Sequence, residues 1–223
     1  MNIKNQTNSA NIKYLVLSYF FLLIFIGCQS GEGEKSKSKN LDENKNNKIE
    51  TELKVCIFST KNDSKSEGIN MELPYPCEWK INSGQNQNVV KKFEKVFTDG
   101  SALEELLVIS NIGRSLTEKE INLLLSEKIL SEGMDPAKDR SISFERLEIN
   151  GKPSAKIVYE TKLNNLGSEI FSKVVQTFVY HNQCLIRIQQ GTFSQSKEKA
   201  ESLYNDFNDL FTRLTTSTKF HDN

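Results

Sequence analysis

Hydrophobic and polar positions divide the chain into three zones. Residues 14–26 form an almost unbroken apolar run, 13 residues long, ahead of Gly27 and Cys28. From Ser30 to about Leu53 there is scarcely an apolar side chain. From Val55 onward apolar residues return in short alternating stretches. The pattern predicts strands at 55–59, 69–75, 89–97 and 103–112. In the last of these, Leu106, Val108 and Ser110 share one face and Leu107, Ile109 and Asn111 the other. Thr117 and Glu120 have capping-box spacing and open a helix predicted to run to about Glu132, where Gly133 can close it.

The second half of the chain has sharper signals. Asn150-Gly151 between 144–149 and 155–161 predicts a type I′ hairpin, because both turn residues must take positive φ. Strands at 170–180 and 184–190 follow, joined across His181, Asn182 and Gln183. From Ser196 on, Ala200, Leu203, Tyr204, Phe207, Leu210, Phe211 and Leu214 recur at helical spacing. A stripe that wide has to lie on a sheet, because an isolated helix is marginal in water. This order predicts an α+β fold with a mainly antiparallel sheet packed by two helices. The expected organisation is a leader over 1–27, a tether over 28–53, one domain over 54–217 and a disordered tail over 218–223.

Composition narrows the function. The 223 residues carry 29 Lys plus Arg and 29 Asp plus Glu, so the basic footprint of a nucleic-acid binder is missing. The apolar run is shorter than the ~20 residues needed to span a bilayer and fits the core of a signal peptide. Lys4 and Lys13 precede it, and the first acidic residue is Glu32. Phe25-Ile26-Gly27-Cys28 resembles the bacterial lipobox, which implies that Cys28 takes a diacylglycerol and becomes the mature N-terminus. An uncleaved anchor and an ordinary signal peptide are the alternatives. Gln29, with no Asp after the cysteine, resembles the sorting pattern of outer-membrane lipoproteins. The low-complexity stretch that follows cannot bury enough surface to offset its ordering entropy, so it reads as a flexible leash.

At Met71-Glu72-Leu73-Pro74-Tyr75-Pro76-Cys77-Glu78-Trp79 the chain resembles the opening of a superfamily. That superfamily includes the extrinsic PsbP protein of photosystem II, the Ran-binding Mog protein and many small bacterial lipoproteins. Its closing hairpin and long helix match the order of elements from Phe178 to Leu214. The resemblance implies an α/β/α sandwich and a non-enzymatic module that binds a protein partner or assists assembly. Read on their own physics, Pro74 and Pro76 should end the strand's place in a ladder, and Trp79 should plug the sheet end.

Candidate chemistry is sparse. His181 reads as a turn residue and His221 as part of the tail, and neither has metal-ligand spacing with other residues. Cys56 and Cys77 are the candidate disulfide, against two free thiols or pairing of either with Cys184, which itself reads as a small core residue. The pairs Glu104-Glu105 and Glu145-Arg146 read as solvated strand faces. No catalytic motif and no cofactor or metal site stands out, so an envelope binding module is the leading expectation. An apolar-ligand carrier with Val158, Val174, Ile186 and Phe207 lining a pocket is the alternative, and a hydrolase with a scattered site is a third. The lipid reading has a direct check: Cys28→Ala should block acyl labelling and move the protein out of the membrane fraction, and a variant still found with membranes would refute it.

Overall fold

The computed structural model describes residues 53–132, 134–165 and 167–221. The leader and nearly all of the tether therefore lie outside the described residues, as does Gly133. Among the described residues ten strands and three helices follow one another: β1 (Val55–Ser59), β2 (Asn70–Pro76), β3 (Lys80–Ser83), β4 (Val89–Val96), β5 (Ala102–Asn111), α1 (Glu118–Leu124), α2 (Glu127–Ser131), β6 (Asp139–Ile149), β7 (Lys152–Asn165), β8 (Ser168–His181), β9 (Cys184–Ser194), α3 (Lys197–Thr216) and β10 (Lys219–His221). The fold is α+β, with a large antiparallel sheet in the order β3-β4-β5-β9-β8-β7-β6 and a small one in the order β1-β2-β10.

Pleating gives the large sheet two distinct faces. Leu103, Leu107, Ile109, Ile186, Ile188 and Val179 are buried on the face that α3 covers, and they form the main core with Leu203 and Phe211. The small sheet joins this core through Met71, Leu73 and Phe220. Its rings Phe58 and Tyr75 meet Phe93 of β4 at centroid distances of 5.8 and 4.8 Å. On the opposite face α1 and α2 bring Leu125 and Leu130 against Ala155, Ile157 and Phe178. Trp79 is buried as expected, with its ring 6.5 Å from that of Phe211.

Turn and cap chemistry act where the residue types foretell them. Asn150 and Gly151 have φ of +49° and +74°, and Asn182 and Gln183, linking β8 to β9, also take positive φ. Thr117 and Glu120 form the full capping box. The helix they open nevertheless stops at Leu124, so two short helices replace the single one expected over 117–132. Ser126 marks the break: its backbone is extended and its Oγ accepts from the Ile129 N–H, which caps a second helix in place of continuing the first.

Other expectations give way to long-range pairing. Pro74 and Pro76 stay within β2, opposite Ile57 and Val55. β10 pairs only with Asn70, Met71 and Glu72, so beyond them β2 has a partner on one side alone, where a residue without an N–H is tolerated. The expected disordered tail is in part a strand: β10 sets His221 in the ladder, with Nε2 3.3 Å from Glu72 Oε1. His181 is not a plain turn residue. It ends β8 at 4% exposure, its ring 5.3 Å from that of Phe220.

Cys56 and Cys77 are joined by a disulfide, and Cys184 is free and buried. The bridge ties β1 to the residue just past β2, where the Cys77 N–H also donates to Lys54 O at 2.9 Å. Burial pushes the Cys184 thiol up to about 11, so it stays an inert core thiol at neutral pH. Because the bridge closes a 21-residue separation, Cys56→Ser with Cys77→Ser should lower stability by about 3 kcal/mol in the chain-entropy account. Urea unfolding of the non-reduced pair measures it, and an unchanged midpoint would contradict a stabilising bridge.

Candidate functional site

The three outer strands of the large sheet and the start of α3 enclose a cleft of about 210 Å³. Its construction follows from register. Arg140 stands opposite Glu160, and Glu160 opposite Lys173, so three charges cross β6, β7 and β8 in one row on the α3 side. The next pair along β7 and β8 on that side is Lys162 opposite Phe171. Lys197 and Ala200 close the cleft from α3, which begins there because the Ser196 Oγ accepts from the Lys199 N–H at 3.2 Å.

Five cations line the cleft (Lys138, Arg140, Lys162, Lys173 and Lys197) against two acids, Glu160 and Glu201. Glu160 is shared: its Oε2 lies 3.4 Å from Arg140 and 3.8 Å from Lys197. Lys162 reaches Glu169 at 2.5 Å and also lies 5.7 Å from the Phe171 ring centroid. Lys173 sits 4.2 Å over the ring of Tyr204. Cation–π contacts hold an ammonium in place without neutralising it. Lys138 pairs with Asp135 at 3.0 Å, so the cleft offers an apolar floor, Phe171 and Ala200, within a rim whose five cations narrowly outnumber the acids that line or pair with them.

A second hollow, under the middle of α3, is only about 50 Å³ and is lined by Val158, Val175, Tyr204 and Phe211 among others. The four residues expected to line a carrier pocket do not converge. Val158 and Ile186 are on the α3 face, whereas Val174, next to Val175 along a pleated strand, points to the other. On that other face lies a buried polar row, where Gln176 Nε2 donates to Tyr159 Oη at 3.0 Å and to Gln189 Oε1 at 2.8 Å.

The reading of Glu104-Glu105 as a solvated face is half wrong. Glu104 pairs with Lys92 at 2.6 Å, while Glu105 is fully buried beneath α3. Gln190 Nε2 donates to Glu105 Oε1 and to Phe211 O, both at 3.3 Å, and Thr215 Oγ1 donates to Gln190 Oε1 at 3.1 Å. Glu105 Oε2 has no hydrogen-bond partner among the described residues. Desolvation, only partly offset by Gln190, pushes this carboxyl up to about 8. Glu145 does lie in an exposed pair, with Lys156 at 2.8 Å, and Arg146 donates to Asn122 O.

Sequence reasoning missed the cleft residues because each, taken singly, is an ordinary charge on an alternating strand. The available signal was Phe171 and Lys173 on one face of a strand that pairs with another carrying Glu160 and Lys162. Among the described residues no group of His, Cys, Asp or Glu gathers as a metal site, and no helix is long and apolar enough to cross a membrane.

No family model and no curated protein matches the chain. Solved structures similar to it include LpqN, involved in cell envelope biogenesis of Mycobacterium tuberculosis. That match has 8% identity and a TM-score of 0.47, and it covers 76% of this chain and 91% of the other. Another is PA94, a Pseudomonas aeruginosa protein of unknown function. It has 10% identity and a TM-score of 0.42, with 68% and 92% of the two chains covered. Both likenesses are distant, and neither assigns a role to this chain.

The buried acid generates a pH dependence. Its folded value of about 8 stands above the ordinary 4.5, so folding favours the neutral form. That stabilisation is complete below about 4.5 and is lost as pH rises toward 8, where the folded protein must carry a buried charge. Glu105→Gln should therefore flatten the fall in Tm across this window and raise Tm at its upper end. Parallel Tm–pH curves for the two proteins that superimpose would show that Glu105 is not the group responsible.

Proposed function

We propose that the mature chain is a non-catalytic, lipid-tethered envelope module, a PsbP-like α+β domain held by Cys28 to a membrane, with the outer membrane the favoured site. It works by holding an acidic, partly apolar segment of a protein partner in the cationic cleft beside α3. The observation that carries this reading is the pairing of an apolar floor with a rim of five cations, two of them, Arg140 and Lys197, sharing one carboxylate and Lys173, among the described residues, held by a ring alone. Such a rim accelerates encounter with an acidic partner and selects against a basic one.

Size favours a protein segment over a free small molecule. Ligand pockets that engulf a whole molecule run to ~300–1,000 Å³, and this cleft, at about 210 Å³, suits one or two side chains of a docked chain. The carrier reading has less support, because the hollow under α3, which holds Val158 of the expected lining, is smaller still, and the larger groove near Leu53 and Arg213 has none of the four residues expected to line a carrier pocket. A hydrolase reading lacks a nucleophile and base brought together at the cleft, whose lining offers Lys, Arg, Glu, Ser and Thr but no His or Cys.

A photo-crosslinking residue placed at Phe171 should capture one reproducible partner from the native envelope, joined through an acidic segment. Lys162→Glu with Lys173→Glu should reduce that capture by about tenfold, equal to about 1.4 kcal/mol, and wild-type capture should weaken as salt rises. Lys61→Glu, in the exposed turn after β1, should leave it unchanged. Equal capture by the double variant would refute the cleft as the binding site.

A further inference from the structure

The end of the domain where the tether arrives has a surface of a different chemistry. Val55 and Ile57 are 46% and 56% exposed, the largest apolar groups left uncovered on β1. They alternate with Cys56 and Phe58, of which Cys56 is held by the bridge to Cys77 and Phe58 packs on the core. Val55 and Ile57 therefore cannot rotate inward without breaking the disulfide or emptying part of the core. Beside them lies a groove of about 550 Å³ lined by Leu53, Lys54, Val55, Pro74, Arg213, Leu214 and Ser217. Its two charged residues are both cations.

We infer that this end of the domain docks on the anionic face of the bilayer, with Val55 and Ile57 seated in the headgroup layer and Lys54 and Arg213 on lipid phosphates. The inference rests on the lipid-anchor reading above. It follows from where the chain outside the structure ends. Leu53, where the described chain begins, lines this groove, and it stands 25 residues after Cys28, a length over which a flexible chain typically spans about 28 Å. A bilayer is the one surface held permanently within that radius, so even a weak apolar and electrostatic attraction acts at high effective concentration. Apolar groups with flanking cations are the chemistry that an anionic lipid surface takes up at shallow depth. Among the described residues β1 is an edge strand paired with β2 alone, and a shallow seat leaves its outer backbone groups in the hydrated headgroup region. The cleft lies at the other end of α3, near Lys197 and Ala200, so docking here leaves it facing away from the lipid.

The test uses the full lipidated protein reconstituted in vesicles of phosphatidylethanolamine and phosphatidylglycerol containing a brominated lipid. Ile57→Trp and Ile142→Trp are compared against the buried Trp79 background, Ile142 being an exposed residue of β6 at the far edge of the large sheet. Fluorescence of the residue 57 probe should fall by about twofold and shift to shorter wavelength, as for a side chain seated at interfacial depth, with no change at residue 142. Replacing phosphatidylglycerol with phosphatidylcholine should reduce the effect. Equal quenching at both positions, or none at residue 57, overturns the inference. So does a wavelength shift that persists without vesicles and grows with protein concentration, which would assign the patch to a second copy. Acyl labelling of Cys28 on the same sample separates the two readings: label present with residue 57 unquenched refutes docking alone, and label absent refutes the anchor.

Discussion

Burial of one stripe of α3 on one face of the large sheet is the interaction on which the rest depends. Leu203, Leu210, Phe211 and Leu214 are lost to solvent against β8, β9 and β2. Each such side chain contributes about 1.5–3 kcal/mol, more than propensity alone supplies to a helix. The same burial carries β10 back to β2 and so closes the small sheet with the last residues of the domain. It also sets the first turn of α3 beside Glu160 and Lys173, which is what turns a flat sheet margin into a cleft.

That interface is not wholly apolar. Thr192 Oγ1 donates to Ala200 O at 2.9 Å, and Gln190 Nε2 donates to Phe211 O. These bonds fix the rotation and height of the helix on the sheet, because a shift of one residue would leave buried donors unpaired. Glu105 lies within this network, where desolvation raises its carboxyl to about 8 and so favours the neutral form. A neutral carboxyl under the helix is compatible with the core, whereas an ionised one would draw water or a cation into it. Through Gln190, which bonds both Glu105 and Phe211 O, this carboxyl is tied to the seat of α3 on the sheet.

The charged and the uncovered apolar surfaces lie at opposite ends of this helix. Cations dominate the cleft at the end where α3 begins, and exposed Val55 and Ile57 sit near the end where it finishes. This separation is what the proposed docking on lipid at one end and on a partner at the other requires. The disulfide belongs to the end that carries Val55 and Ile57, where it ties the first described strand to the residue just past β2.

Much of this was legible in residue order alone. Period-2 and period-3.6 patterns, the Asn150-Gly151 turn, the Thr117–Glu120 box and the stripe of α3 are local signals, and local chemistry decided them. The α+β class follows from them, as does the expectation that Trp79 is buried. Long-range pairing decided the rest. Ser126 could have continued a helix or capped a new one, and packing of Leu125 and Leu130 on Ala155 and Phe178 chose between them. β10, the place of Pro74 and Pro76 in β2, and the burial of His181 and Glu105 all depend on strands distant in sequence meeting in one register. The cleft belongs with these: Arg140, Glu160, Lys173 and Lys197 span more than fifty positions of the chain. A charge pattern read along one strand cannot say which neighbours it will face, and only the folded sheet makes four unremarkable charges into a site.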